Sequence, residues 1–172
     1  VTNASGCSAT SAATAVTVNA LPTATITAGS ATTFCAGGSV TLTSSTGTSY
    51  LWSTGATTQS IIATTSGSYS VTVTNASGCF ATSNATAVTV NALPTATITA
   101  GGVTTFCAGG SVTLTSSVGA SYLWSNGAIT QSITVTTAGS YSVTVTNTNG
   151  CFATSAATAV TVNALPTATI TA

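Results

Sequence analysis

The 172-residue sequence predicts an all-β protein made of antiparallel two-sheet sandwiches, and three features carry that prediction. Apolar side chains alternate with Thr or Ser over short stretches, the pattern of strands with one face in a core. Glycine-centred turn signals punctuate those stretches. No segment has the 3.6-residue apolar period of an amphipathic helix. The composition agrees, with 43 Thr, 24 Ser and 30 Ala, 44% hydrophobic residues and no Met. Thr and Val fit a pleated, half-buried surface, and a chain this rich in them and this poor in charge is unlike a disordered one.

The pattern recurs. Val1-Thr-Asn-Ala-Ser-Gly-Cys7 returns at Val73 to Cys79 and, slightly varied, at Val145 to Cys151, a period of 72 residues. Residues 29–100 and 101–172 agree at 60 of 72 positions, so one unit has been copied and the chain is expected to be cut from a longer array. The seam falls at Asn19-Ala-Leu-Pro22, repeated at Asn91 to Pro94 and Asn163 to Pro166. Proline fixes its own φ, biases the residue before it toward extended conformations and cannot donate to a ladder, which suits a short stiff connection. The expected modules are 20–91 and 92–163. Residues 1–19 are then the last strand of an upstream module and 164–172 the first strand of a downstream one.

Within a module the alternating strands follow in order: Ala24-Thr-Ile26-Thr-Ala28, Val40-Thr-Leu42-Thr, Tyr69-Ser-Val71-Thr-Val73-Thr and Val88-Thr-Val90. In each, one face is apolar and the other carries hydroxyls. Turns are expected at Gly37-Gly38, Thr54-Gly55 (Asn126-Gly127 in the next copy), Ser66-Gly67 and Ser77-Gly78 (Asn149-Gly150). The Asn-Gly pairs are hairpin signals. About seven short strands per repeat give a sandwich.

The sequence contains no Asp, Glu, Lys, Arg or His. That removes general acid–base catalysis, carboxylate and imidazole metal sites, lysine Schiff bases and arginine clamps. It also removes the cations that neutralise phosphates, so no nucleic-acid partner is expected. The chain is read as a non-enzyme without cofactor or metal. Mean hydropathy is +0.56, yet Thr and Ser interrupt the apolar residues long before the ~18 needed for a spanning helix, so no membrane insertion is expected. No signal peptide is visible, but the sequence begins at Val1 in mid-pattern, as expected of a processed or excised piece. The charged guards that natural sheets place on edge strands are missing as well, which favours association with other copies.

Gly38-Ser-Val-Thr-Leu-Thr-Ser44, Tyr50-Leu-Trp52-Ser and Gly67-Ser-Tyr69-Ser-Val71 resemble strand B, strand C with its buried Trp, and strand F with its tyrosine corner in immunoglobulin-like sandwiches. More closely, Cys35-Ala-Gly-Gly, Trp52-Ser-Thr-Gly, Gly67-Ser-Tyr69 and Asn75-Ala-Ser-Gly-Cys79 resemble the tandem immunoglobulin-like modules of large secreted and cell-surface adhesin-type proteins of Bacteroidota. The resemblance covers the whole chain. It implies tandem immunoglobulin-like antiparallel β-sandwiches arranged end to end and an extracellular or cell-surface location. It leaves function open, because such modules mostly act as spacers. Ser44 and Val71 stand where antibody domains carry their inter-sheet disulfide.

Cys7, Cys35, Cys79, Cys107 and Cys151 provide two cysteines per repeat and one extra. Regular pairs in a small β-module indicate structural disulfides and an oxidising compartment; a zinc or redox site is disfavoured without His or a C-x-x-C. The simplest pairing, Cys35–Cys79, closes a loop within one module, a constraint of about 3–4 kcal/mol. Under the strand assignment that the resemblance implies, however, Cys35 precedes strand B at one end of the sandwich and Cys79 lies in the F–G turn at the other. A strand of seven or eight residues spans roughly 25 Å, whereas bridged Cα atoms lie within about 7 Å. In an end-to-end array Cys35 would instead meet Cys151. A shifted strand assignment restores Cys35–Cys79, so both pairings stand at this point.

The remaining candidates each have a bland and a functional reading. Trp52 and Trp124 could stack on sugars, but alternation places Trp52 with Tyr50 on the core face. Tyr69 and Tyr141 read as buried rings whose hydroxyls cap local backbone. Asn3, Asn75 and Asn84 begin N-x-S/T acceptor triplets for glycosylation, which a Thr-rich chain also produces by chance. Thr23, Thr25, Thr27, Thr72 and Thr74 form ladders with about 6.8 Å between hydroxyls; such ladders resemble ice-binding faces, but a twisted sandwich supplies them poorly.

Two functions follow. The first is a structural segment of an extracellular rod, stalk or filament of disulfide-stapled modules, whose partners are other copies of the module. The second is an adhesin module that recognises glycans or a neighbouring cell. The 12 differences between repeats are scattered small exchanges such as Thr54 to Asn126, which favours the rod, since identical modules add only length. Assembly should respond little to salt or to pH between about 3 and about 9, and trypsin should find no site.

Overall fold

In a computed structural model that describes residues 1–170, the protein is all-β. By contacts the chain divides into two compact units. Unit 1 comprises Val1–Ser30, Thr41–Ala63 and Gly67–Ala87; unit 2 comprises Ala31–Val40, Thr64–Ser66 and Val88–Ala172.

Unit 2 contains a full set of nine strands: β10 (Ile98–Ala100), β11 (Thr105–Cys107), β12 (Val112–Ser116), β13 (Ser121–Trp124), β14 (Ser132–Val135), β15 (Gly139–Tyr141), β16 (Val143–Thr146), β17 (Phe152–Thr154) and β18 (Thr158–Asn163). They form three sheets, ordered β10-β12-β14, β11-β18-β15 and β13-β16-β17. Alternation explains the layering. Val112 and Leu114 of β12, Ile133 and Val135 of β14, Trp124 of β13, Tyr141 of β15, Val143 and Val145 of β16 and Val160 of β18 point inward and form one core. The residues between them face out, where hydroxyls pair across strands: Ser132 Oγ donates to Thr115 Oγ1 at 3.0 Å, and the Thr144 and Thr154 hydroxyls lie 2.9 Å apart.

Nine segments replace the seven expected strands because two strands change sheets midway. The run Gly139–Thr146 breaks at Ser142, with β15 pairing β18 and β16 pairing β13. Ser142 is held at the break by Ser125, whose Oγ accepts its N–H at 3.2 Å and whose N–H donates to its carbonyl at 2.8 Å. The first strand splits likewise into β10 and β11, and β11 then runs parallel to β18, with Thr105 opposite Thr161 and Cys107 opposite Asn163. The expectation of wholly antiparallel pairing is corrected on this point. A strand that leaves one sheet and joins the other without reversing meets its new neighbour in parallel.

Two turn expectations are corrected too. Asn126-Gly127 links β13 to β14, which lie in different sheets, so it is not a hairpin loop. Gly127 alone takes positive φ (87°), and the turn closes through Gly127 N–H to the Trp124 carbonyl at 2.9 Å. A type I turn followed by a left-handed Gly needs only that one residue to be Gly, which is why Thr54 replaces Asn126 in the other copy. At Ser66-Gly67 the bend that separates the strands falls one residue earlier, over Thr65-Ser66, and Gly67 already opens the next strand.

The same elements lie 72 residues earlier: β1 (Ile26–Ala28), β2 (Thr33–Cys35), β3 (Val40–Ser44), β4 (Ser49–Trp52), β5 (Ser60–Ala63), β6 (Gly67–Tyr69), β7 (Val71–Thr74), β8 (Phe80–Thr82) and β9 (Thr86–Asn91), with sheet orders β1-β3-β5, β2-β9-β6 and β4-β7-β8. Within unit 1, Leu42, Trp52, Ala63, Tyr69, Val71 and Val73 are buried. The outer surface is not hydroxyl throughout: Leu51 and Phe80, and in unit 2 Leu123 and Phe152, are exposed.

Residues 1–9 close a small hairpin on themselves, with Thr2 opposite Ser8. Residues 10–20 and 164–170 are exposed and carry no strand assignment. The remainder of the strand expected over 164–172, Thr171 and Ala172, lies outside the described residues.

Candidate functional site: a disulfide joint

Among the described residues no three metal-ligating side chains gather, and no helix is long and apolar enough to cross a membrane. Two open hollows, one lined by Gly101, Gly102, Val103, Ser111, Val112 and Thr113, the other by Ala24 to Ile26 and Asn84 to Thr86, offer backbone, hydroxyls and a single Asn amide. The chemistry of this chain resides in its thiols.

Cys35 and Cys151 form a disulfide, with Cα atoms 5.6 Å apart and a sequence separation of 116. The alternative pairing Cys35–Cys79 does not occur. Each sulfur is positioned by a different local device. Cys35 ends β2, which runs parallel to β9 with Cys35 opposite Asn91. The chain then turns away at once: Ala36 N–H donates to the Asn91 carbonyl at 2.8 Å, and Gly38 N–H donates back to the Cys35 carbonyl at 2.9 Å. Gly37, at φ 92°, makes that turn available.

Cys151 follows the turn between β16 and β17. Asn147 organises it as an Asx turn, its Oδ1 accepting the N–H groups of Asn149 and Cys151, each at 3.0 Å. Gly150 (φ 76°) closes it, with Asn147 N–H to the Cys151 carbonyl at 2.8 Å. The Asn147 amide nitrogen then donates to the Ala92 carbonyl at 2.9 Å, and Cys151 Sγ lies 4.0 Å from the Asn91 carbonyl oxygen. Asn91-Ala92 is thus held twice, by the Ala36 N–H donating to the Asn91 carbonyl and by the Asn147 amide donating to the Ala92 carbonyl. Cys151 is fully buried and Cys35 is half-buried.

Cys7, Cys79 and Cys107 are free thiols; Cys7 and Cys107 are exposed and Cys79 is half-buried. The expectation that all five serve disulfides is met in this structure by Cys35 and Cys151 alone. Trp52 and Trp124 are each 2% exposed, and their indole N–H groups donate to the Thr58 and Thr130 carbonyls at 2.8 Å. Tyr69 and Tyr141 are buried, and Tyr141 Oη donates to the Thr137 carbonyl at 3.1 Å.

Of the acceptor asparagines, Asn75 uses its whole amide internally: Oδ1 accepts from Ser77 and Cys79, and Nδ2 donates to the Ala20 carbonyl at 2.8 Å. Asn3 accepts from Ser5 and Cys7 in the same turn, and Asn84 is exposed beside one hollow. The Thr72 hydroxyl is engaged with Thr82 at 2.9 Å. Sequence reasoning took Asn75 for a turn former or sugar acceptor and did not find its grip on the Asn-Ala-Leu-Pro segment. The signal was present in the co-recurrence of Asn-x-x-Gly-Cys with Asn-Ala-Leu-Pro at the same 72-residue period.

No family model matches the sequence, and no curated protein matches it. Among solved structures, the chain is similar to murine CEACAM1b (16% identity over 81% of this chain and 100% of that one, TM-score 0.38). It is also similar to a 1.5-MDa bacterial ice-binding adhesin studied for host cell surface retention (19% identity, 83% of this chain and 64% of that one, TM-score 0.39). A third similarity is to the fibronectin(III)-like modules of Clostridium thermocellum CbhA (13% identity, 81% of this chain and 94% of that one, TM-score 0.36).

Proposed function

We propose that this chain is a non-catalytic structural segment of an extracellular rod, stalk or filament. Its immunoglobulin-like modules, 20–91 and 92–163, follow one another in tandem, and 1–19 and 164–172 belong to neighbouring copies. The observation that carries the reading is the Cys35–Cys151 bond, which lies within unit 2 and links a cysteine of the first 72-residue sequence copy to one of the second. A spacer under load gains from a covalent tie between successive copies, and a disulfide is durable only where thiols are not kept reduced. The absence of Asp, Glu, Lys, Arg and His is consistent with this role, since spanning distance requires none of them. The recurrence of 60 in 72 residues adds length without adding a second kind of surface. The predicted partners are further copies, along the chain and laterally.

A second reading, an adhesin module for glycans or a neighbouring cell, is favoured by one observation. Leu51 with Phe80, and Leu123 with Phe152, place large apolar side chains in solvent at the same positions of both copies. Electron microscopy of the native material separates the two. Fibres with a repeating modular density support the rod. Isolated short arms on cells, together with binding on a glycan array, would replace it with adhesion.

A further inference from the structure

The free thiols Cys79 and Cys107 stand in the two settings that the bonded pair occupies one repeat away. Cys79 repeats the Cys151 setting. Asn75 Oδ1 accepts the N–H groups of Ser77 and Cys79 at 3.0 Å, Asn75 Nδ2 reaches the Ala20 carbonyl at 2.8 Å, and Cys79 Sγ lies 3.9 Å from the Asn19 carbonyl oxygen. Cys107 repeats the Cys35 setting. It ends a strand parallel to β18, opposite Asn163; Ala108 N–H donates to the Asn163 carbonyl at 2.8 Å, and Gly110 N–H donates to the Cys107 carbonyl at 2.9 Å. Cys35 and Cys151 show what each setting holds, a cysteine of the other kind. Cys7 shares only the turn and is exposed on the small N-terminal hairpin.

We propose that Cys79 and Cys107 are complementary half-joints, and that Cys107 of one molecule forms a disulfide with Cys79 of a second copy, linking copies head to tail. The inference rests on the reading of the chain as a structural repeat and names its partner. In the joint, Asn163-Ala164 of the first molecule takes the place that Asn19-Ala20 holds under the Asn75 turn of the second. The exchange is between identical segments: Val160 to Ile170 repeats Val16 to Ile26 without a change. Residues 10–20 and 164–170 are exposed and unassigned to strands, so the exchange swaps the Asn75–Ala20 hydrogen bond for its equivalent to Ala164 and dismantles no strand. Such a contact joins unlike surfaces and exchanges a like element, the geometry of open chains.

The bond requires a disulfide oxidant, and oxidised glutathione serves. The Cys107 thiolate attacks one of its sulfurs, releasing one glutathione thiolate and leaving a mixed disulfide. The Cys79 thiolate of the second molecule then attacks the Cys107 sulfur and releases the other. Two protein thiols are oxidised to one disulfide, and one glutathione disulfide is reduced to two thiols.

The test is complementation in a glutathione redox buffer, read on non-reducing gels and by peptide mapping. The full chain and its Cys7→Ser variant should form a ladder of covalent oligomers through Cys79–Cys107. Cys79→Ser alone and Cys107→Ser alone should each lose the ladder. Mixed one to one, those two variants should form a dimer and stop there. Homodimers of either single variant in yields equal to the mixed dimer would overturn the proposal. So would the absence of any intermolecular bond in samples whose Cys35–Cys151 bond is fully formed. Native material without fibres would overturn the rod reading and leave a successful complementation standing, whereas failed complementation overturns this pairing whatever microscopy shows.

Discussion

Replacing both members of the joint, as Cys35→Ala with Cys151→Ala, removes the constraint and leaves no stray thiol in its place. The magnitude follows from the loop. With a sequence separation of 116 between the bonded cysteines, chain-entropy theory assigns the unfolded ensemble a loss of about 16 cal/mol/K, or roughly 4.8 kcal/mol at 25 °C. If the 172 residues unfold in one transition, with an unfolding entropy of about 2.1 cal/mol/K per residue, the midpoint should fall by about 13 °C. The assay is thermal unfolding followed by circular dichroism, comparing the variant with wild type whose bond has been verified by mass. A fall of less than about 3 °C would refute the reasoning, because it would mean that the bond restricts little of the unfolded chain.

Leu114 is fully buried in the unit 2 core, so Leu114→Ala should cost about 3 kcal/mol in urea unfolding with an unchanged slope. Gly119→Ala should cost about 2 kcal/mol, because its Cβ would collide with Val145 Cγ1 and approach the Thr146 carbonyl, whereas Gly102→Ala meets open space and should lie within about 0.5 kcal/mol of wild type. The unfolding midpoint should be level between about pH 5 and about pH 7, and nearly independent of salt. No side chain of this sequence exchanges a proton in that window, so folded and unfolded chains bind equal numbers and the pH slope is zero. A slope of more than a few degrees across that range would point to charged modifications on the native chain.

Features set by neighbours along the chain were legible in the sequence. Alternation in Val40 to Ser44 fixes which side chains turn inward, and a β-branched run with glycine punctuation leaves little alternative to strands. The inward phase of Trp52 follows from its place two residues after Tyr50. Features set by partner choice were not legible. Period-two alternation is satisfied equally by one long strand or by two short ones in different sheets, so the breaks at Ser70 and Ser142 and the parallel pairing of β2 with β9 lay outside its reach. Leu51 and Phe80 are apolar residues in outward positions, and apolar character alone predicts burial for them.

By itself the sequence determined the β class, the absence of acid–base and cationic chemistry, and the number and period of the thiols, because each is a property of composition or of residues a few positions apart. It left Cys35 with two candidate partners. The tertiary structure decided for Cys151, because a disulfide forms only where two backbones come within a few ångströms, and two positions at a sequence separation of 116 carry no local mark of that approach.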